Sequence, residues 1–251
     1  MNAPQAVLLD ISGVLCDGDQ PIPGAVGAVR RLQDRGYPLR LVTNTSRLGH
    51  VALHRQLRGM GFDVEPEQIF TAPRAVSRYI EARSLRPFCL IHPALEEEFA
   101  PWLHQSAPDA VVVGDAEMRF DYEHLDRAFR LLVEGAPLIC MGDNRYFRIR
   151  GVLHLDAGPF VRALEYASGA TALVLGKPSR NFFASALDDL GVSAGQALMV
   201  GDDVQADVLG AQAAGLSACL VRTGKYRTGD EALAPGAHLA ADLAEAVAWL
   251  G

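Results

Sequence analysis

Four short polar segments carry side chains that together can move a phosphoryl group. They are Asp10-Ile11-Ser12-Gly13-Val14-Leu15, Thr43-Asn44-Thr45-Ser46, Gly176-Lys177-Pro178-Ser179 and Gly201-Asp202-Asp203-Val204-Gln205-Ala206-Asp207. A carboxylate such as Asp10 can attack phosphorus and form an aspartyl phosphate. The Thr43 hydroxyl, the Asn44 amide and nearby backbone N–H groups can hold phosphate oxygens at the start of a helix. Lys177 can neutralise charge on both the nucleophile and the phosphoryl group. The acidic segment offers oxygens to Mg²⁺, which takes one or two carboxylates plus waters and substrate oxygens. Asp202 would lie closest to that metal, with Asp203 beside it. Asp207, one helical turn on, would support the loop or reach the metal.

Each segment also has an ordinary structural reading. Asp10 suits a turn, Thr45 or Ser46 a helix cap, Lys177 a solvated surface, and the acids the start of a helix dipole. Those readings require four coincidences at the ends of four apolar runs, whereas one shared site explains all of them.

The elements that must position these residues follow from the apolar pattern. Ala6-Val7-Leu8-Leu9, Leu39-Arg40-Leu41-Val42 and Ala197-Leu198-Met199-Val200 read as buried parallel strands. Ligands of an open parallel sheet sit beyond the carboxyl ends of its strands, where Asp10, Thr43 and the Asp202 cluster fall. Helices are expected from Gly24 to Gly36, over about 46–60 and 73–82, over 180–190 and 204–214, and near 242–250. The stretch 84–172 repeats the alternation, with strand-like runs at 88–91, 110–113 and 138–141, and can form a small α/β unit of its own. The fold class is therefore α/β, a doubly wound parallel sheet with an inserted α/β domain. The boundaries expected are 1–82 and 173–251 for the core and 83–172 for the insertion.

Composition narrows the partners. With 251 residues, 23 Lys and Arg against 30 Asp and Glu, and a net charge of −7, the chain has no basic surface for sequence-independent nucleic-acid binding. Its four cysteines are widely spaced with no CxxC pair, so neither a zinc framework nor a disulfide scaffold is expected. No apolar stretch approaches the roughly 18–20 residues that span a bilayer, and the N-terminus, running directly into a strand-like stretch, is expected to carry no leader. The expectation is a cytoplasmic enzyme with a small phosphorylated substrate, no nucleic-acid or membrane partner, and a homodimer as one possible assembly. His50 and His54, four residues apart on one helix, are expected to be solvated.

The order Asp-x-Ser-Gly-Val-Leu, Thr-Asn, Gly-Lys-Pro and Gly-Asp-Asp-x-x-x-Asp resembles the four motifs of the haloacid dehalogenase superfamily of phosphohydrolases. The insertion resembles the C2-type cap of its NagD-like subfamily. The resemblance covers essentially the whole chain. It implies a Rossmann-like core with the metal between the first and fourth motifs, held by Asp10, the Ser12 main-chain carbonyl and Asp202. It also implies a cap that closes to limit water and select substrate.

Ser12 departs from the superfamily pattern, in which a second Asp at that position acts as general acid and base. Losing that proton donor typically costs about 10²–10⁴ in rate. An alkoxide leaving from a phosphomonoester needs the proton most. A phosphate leaving from pyrophosphate, or an already protonated amine leaving from a P–N bond, needs it least. The expectation is a preference for pyrophosphate and N-phosphorylated amines. Two alternatives stay open: a broad small-molecule phosphomonoesterase, and a catalytically weak phosphate-binding regulatory protein.

Overall fold

The computed structural model describes residues 4–149 and 152–250. Met1, Asn2 and Ala3, on which the expectation of no leader partly rests, lie outside the described residues. The chain divides into two compact units. The first runs to Thr43 and continues through His50–Phe70 and from Lys177 onward; the second comprises Asn44–Gly49 and Thr71–Gly176.

The first unit is built on a six-stranded sheet. Its order is His238–Ala240, Ser217–Val221, Ala197–Gly201, Ala6–Asp10, Leu39–Thr43 and Ile69–Thr71. Every residue of Ala6–Asp10 and of Ala197–Gly201 is buried, as expected of strands covered on both faces. The pairing from His238–Ala240 through Leu39–Thr43 is parallel, with Leu9 opposite Val200 and Asp10 opposite Val42. That register brings Asp10, Thr43 and Gly201 to the same end of the sheet.

The covering helices follow the 3.6-residue period. Helix Ala25–Asp34 buries Ala25, Ala28, Val29 and Leu32. Helix Arg180–Asp188 starts on a Ser179 cap, whose oxygen accepts from Asn181 N at 3.2 Å. It buries Phe182 and Phe183, and Phe182 meets Phe70 edge-on with centroids 5.3 Å apart. Arg40 lies inside the Leu39–Thr43 strand yet is buried. Its Nε donates to Ala186 O at 3.2 Å, Nη1 to Glu67 O, and Nη2 lies 3.5 Å from Asp189 Oδ2.

The second unit has its own parallel sheet, ordered Leu173–Val174, Leu138–Cys140, Ala110–Val113 and Pro87–Leu90. Helices Tyr122–Val133 and Gly158–Ser168 supply Ala128, Leu132, Val161 and Leu164 to a core shared with Leu90, Val111, Val113 and Leu138.

Several elements differ from the sequence expectation. The helix expected over 46–60 begins only at His50. The preceding Asn44–Gly49 segment is held in another conformation, because Asp115 N donates to Ser46 Oγ at 3.4 Å and Arg47 pairs with Asp115 at 3.1 Å and with Glu117. The helix expected over 204–214 is a π-helix over Val204–Leu209, then an α-helix over Gly210–Ala214. Asp203 O accepts from both Asp207 N and Val208 N, which widens the turn. An antiparallel hairpin, Tyr146–Ile149 with Val152–Leu155, was not anticipated, nor was the short Cys16–Asp17 and Gln20–Pro21 pair. His50 and His54 are partly buried rather than solvated, and their Nε2 atoms hydrogen-bond Pro66 O at 2.8 Å and Val64 O at 2.9 Å. No helix among the described residues is long and apolar enough to cross a membrane.

Candidate active site

At the carboxyl end of the first unit's sheet, four side chains converge. Asp10 closes its strand and is 5% exposed; Lys177, Asp202 and Asp207 are 6%, 1% and 1% exposed. Lys177 Nζ donates to Asp10 Oδ1 and, at 2.7 Å, to Asp207 Oδ1. Carboxylate oxygens of Asp10, Asp202 and Asp207 lie within 4.8 Å of one another.

Local backbone chemistry makes this convergence possible. After Asp10 the chain turns back, with Leu15 N and Cys16 N both donating to Ile11 O. Gly13 adopts φ +91°, and a Cβ there would collide with the Asp202 carboxylate, so only glycine fits. Gly201 plays the same steric part for Asp207, whose side chain occupies the space a Cβ would need. Asp207 Oδ2 then accepts from Asp203 N at 3.2 Å, which fixes the side chain over the strand end.

The electrostatics are those of a crowded anionic site. Burial pushes the Asp10 carboxyl up to about 6, opposed by Lys177 and reinforced by Asp202. Burial likewise raises Asp202 and Asp207 to about 6; Asp207 adds to the rise at Asp202, and Lys177 opposes it at Asp207. Burial works against the Lys177 charge, but Asp10 and Asp207 hold its ammonium above the ordinary lysine value.

A hard divalent cation fits this set. Three carboxylates cluster here while the buried Lys177 ammonium pairs with only two of them, Asp10 and Asp207, which leaves uncompensated negative charge. Asp202 Oδ1 is buried and has no hydrogen-bond partner among the described residues. A buried charged oxygen without a partner is costly, and coordination would supply one.

The other expected residues have distinct placements. Thr43 is buried at the end of the strand next to Asp10. Ser12 lies on the turn after Asp10 with its side chain exposed. Asp203 caps the π-helix through Oδ1, which accepts from Gln205 N and Ala206 N at 3.0 Å each, and its Oδ2 lies 3.1 Å from Lys225 Nζ. Asn44 belongs to the second unit, in the segment held by Ser46 and Arg47. Two contributors lie outside the four motif segments. Lys225 N donates to Asp202 Oδ2 at 2.6 Å, and Thr223 Oγ1 donates to Gly13 O. Both sit in the Thr-Gly-Lys turn directly after the buried strand Ser217–Val221, a stretch that also carries the family resemblance.

Comparison with known proteins places this arrangement. A haloacid dehalogenase-like hydrolase family model matches residues 7–101, and a second, HAD-hydrolase-like model matches 174–246. Phospholysine phosphohistidine inorganic pyrophosphate phosphatase of Mus musculus is 44% identical over 237 residues, covering 92% of this chain and 87% of that protein. Haloacid dehalogenase-like hydrolase domain-containing protein 2 of Homo sapiens is 42% identical over 230 residues, covering 92% and 88%. Among solved structures, 4-nitrophenylphosphatase from Thermotoga maritima superposes with a TM-score of 0.90 at 27% identity, covering 99% of this chain and 98% of that one. Glycerol phosphate phosphatase from Mycobacterium tuberculosis, solved in complex with magnesium, gives 0.84 at 26% identity, covering 96% and 75%. With relatives this similar along nearly its whole length, the chain belongs to the haloacid dehalogenase-like hydrolases and is a phosphatase of that family.

Proposed function

We propose that this phosphatase is Mg²⁺-dependent, works through an aspartyl phosphate on Asp10, and prefers pyrophosphate and N-phosphorylated amines. The observation that carries the reading is the buried Asp10–Lys177–Asp207 pairing beside the partnerless Asp202 oxygen. Asp10, ionised above a pKa of about 6, attacks phosphorus with its carboxylate oxygen as the P–O or P–N bond to the leaving group breaks, and phosphate or the protonated amine departs with the bonding pair. Lys177 neutralises charge on the nucleophile and on the phosphoryl oxygens, and Thr43 and Asn44 bind those oxygens. Asp10, the Ser12 main-chain carbonyl and Asp202, with Asp203 and Asp207 in support, would hold Mg²⁺, which would supply further charge neutralisation to the phosphoryl group. In the second half-reaction a water cleaves the aspartyl phosphate, with Ser12 available to orient it.

The substrate preference rests on Ser12. A side chain that cannot donate a proton at neutral pH favours leaving groups that need none. The name of the mouse relative, with its phospholysine, phosphohistidine and pyrophosphate substrates, points the same way. A broad phosphomonoesterase is the second reading, favoured by the likeness to a 4-nitrophenylphosphatase. The test is phosphate release from pyrophosphate, imidodiphosphate and p-nitrophenyl phosphate, with and without Mg²⁺, for wild type and Asp10→Asn. Release that depends on Mg²⁺ and Asp10 and favours the first two supports the proposal. Preference for the ester replaces it with the second reading. Phosphate and Mg²⁺ binding without hydrolysis would indicate a regulatory phosphate-binding protein.

A further inference from the structure

The turn after strand Ser217–Val221, outside the four motif segments, makes three contacts with the site. Lys225 N donates to Asp202 Oδ2 at 2.6 Å. Gly224 adopts φ +57°, and a Cβ there would collide with Asp202 Oδ2 and stand 2.6 Å from Gly13 Cα. Thr223 Oγ1 donates to Gly13 O, tying this turn to the one that follows Asp10. The two turns therefore hold the Asp202 carboxylate between them, and Gly13 has no room for a Cβ on its side either.

The consequence is an asymmetry between the two oxygens of Asp202. Oδ2 is occupied by a backbone N–H, while Oδ1 is buried and lacks a hydrogen-bond partner among the described residues. A carboxylate free to rotate about χ2 would present either oxygen, in varied directions. One fixed by a backbone donor presents a single oxygen in a single direction. Mg²⁺ demands near-ideal octahedral geometry, so it gains most from a ligand that is already oriented.

We infer that Thr223, Gly224 and the Lys225 backbone form a positioning clamp that assigns Oδ2 of Asp202 to the protein and Oδ1 to the cation. This inference rests on the proposed Mg²⁺ site. The Lys225 ammonium is not part of the clamp. It pairs with Asp203 at 3.1 Å and is 70% exposed, whereas the clamp uses the backbone N–H, which any residue but proline provides at that position.

The test is Mg²⁺ affinity, measured by calorimetric titration of the metal-free protein with MgCl₂. Gly224→Ala should raise the Kd about 10- to 100-fold, the range found when groups that orient a metal ligand are removed. Thr223→Val should raise it at least about threefold, and Lys225→Ala, which keeps the N–H, should change it less than that. Activity of Thr223→Val should recover with excess Mg²⁺, a rescue that general loosening of the fold would not give. Wild-type affinity in a folded Gly224→Ala, or a loss in Lys225→Ala as large as in Gly224→Ala, overturns the clamp. Should Gly224→Ala fail to fold, wild-type affinity in Thr223→Val overturns it. Asp202→Asn separates the two levels. Undiminished Mg²⁺ binding in that variant removes the metal assignment itself, whereas loss there with none in the turn variants removes only the clamp.

Discussion

Lys177 and Asp207 form an ion pair of 2.7 Å in which the two side chains are only 5% and 1% exposed. The same ammonium also holds Asp10, so one lysine compensates two largely buried carboxylates. Removing one partner of a buried pair strands the charge left behind, at a cost of about 3–5 kcal/mol. Lys177→Met should therefore destabilise the metal-free protein by about that amount as well as abolish turnover.

Asp10→Asn is the informative contrast. It removes the nucleophile but keeps the Lys177–Asp207 pair and relieves repulsion between Asp10 and Asp202. Turnover should vanish while stability changes by no more than about 1 kcal/mol, an ordinary point-mutant effect. Urea unfolding in the presence of a chelator checks both variants. A Lys177→Met midpoint equal to wild type would show that the carboxylates are solvated.

Arg40 offers a stability prediction independent of the chemistry. Its guanidinium satisfies Ala186 O and Glu67 O and lies near Asp189. Arg40→Met preserves much of the side chain's length and removes the donors, leaving two backbone acceptors to be satisfied elsewhere. A buried acceptor left without its bond costs about 1–3 kcal/mol, so with two of them a loss of about 2–6 kcal/mol is expected. Hydrolysis per folded molecule should stay near wild type. The check is chemical denaturation alongside specific activity, and an unchanged midpoint would mean that water replaces the lost donors.

The contrast between Arg40 and Asp10 shows what the sequence could convey. The meeting of Asp10 with Lys177, Asp202 and Asp207 was legible because each follows an apolar strand and only together do they make one site. Period-two and period-3.6 patterns located most strands and helices for the same reason. The role of Arg40 was hidden, since its acceptors are backbone carbonyls at Glu67 and Ala186, and a carbonyl leaves no mark in sequence. The Asn44–Gly49 conformation and the contacts of His50 and His54 depend on similarly distant groups. The π-turn at Asp207 reflects one carbonyl, Asp203 O, shared by two donors. The Thr223–Lys225 contacts depend on where the end of one strand falls relative to another, which only the folded sheet register decides.

The cysteines should behave as structural residues. Burial pushes the thiols of Cys89, Cys140 and Cys219 up to about 12, and all four cysteines are free. A raised thiol pKa keeps the reactive thiolate scarce until the pH approaches that value. At pH 8 an unperturbed thiol is roughly a quarter thiolate, against roughly one part in 10⁴ for a pKa near 12. These three should react with Ellman's reagent at least about 100-fold more slowly in the native protein than in guanidinium. Fast labelling of any of them at pH 8 would contradict the burial that the sheets impose.

Ser12 allows the leaving-group argument to be tested in the direction of gain. Ser12 is exposed on the turn after Asp10, so the residue does not lie in the packed core. Ser12→Asp would restore a group able to donate a proton to a departing alkoxide, a contribution of about 10²–10⁴ where it is fully realised. A partial gain on phosphomonoesters of roughly tenfold or more is expected, with little change on pyrophosphate, whose leaving group does not need the proton. The ratio of kcat/KM for an alkyl phosphate to that for pyrophosphate is the measurement, because it cancels any loss of active protein. An increase confined to the ester ties substrate preference to proton donation at position 12. An equal increase on both would mean that the new carboxylate assists a step common to them, such as water attack on the aspartyl phosphate. A fall on both would mean that Ser12 serves the site through its hydroxyl or through the turn it helps to shape.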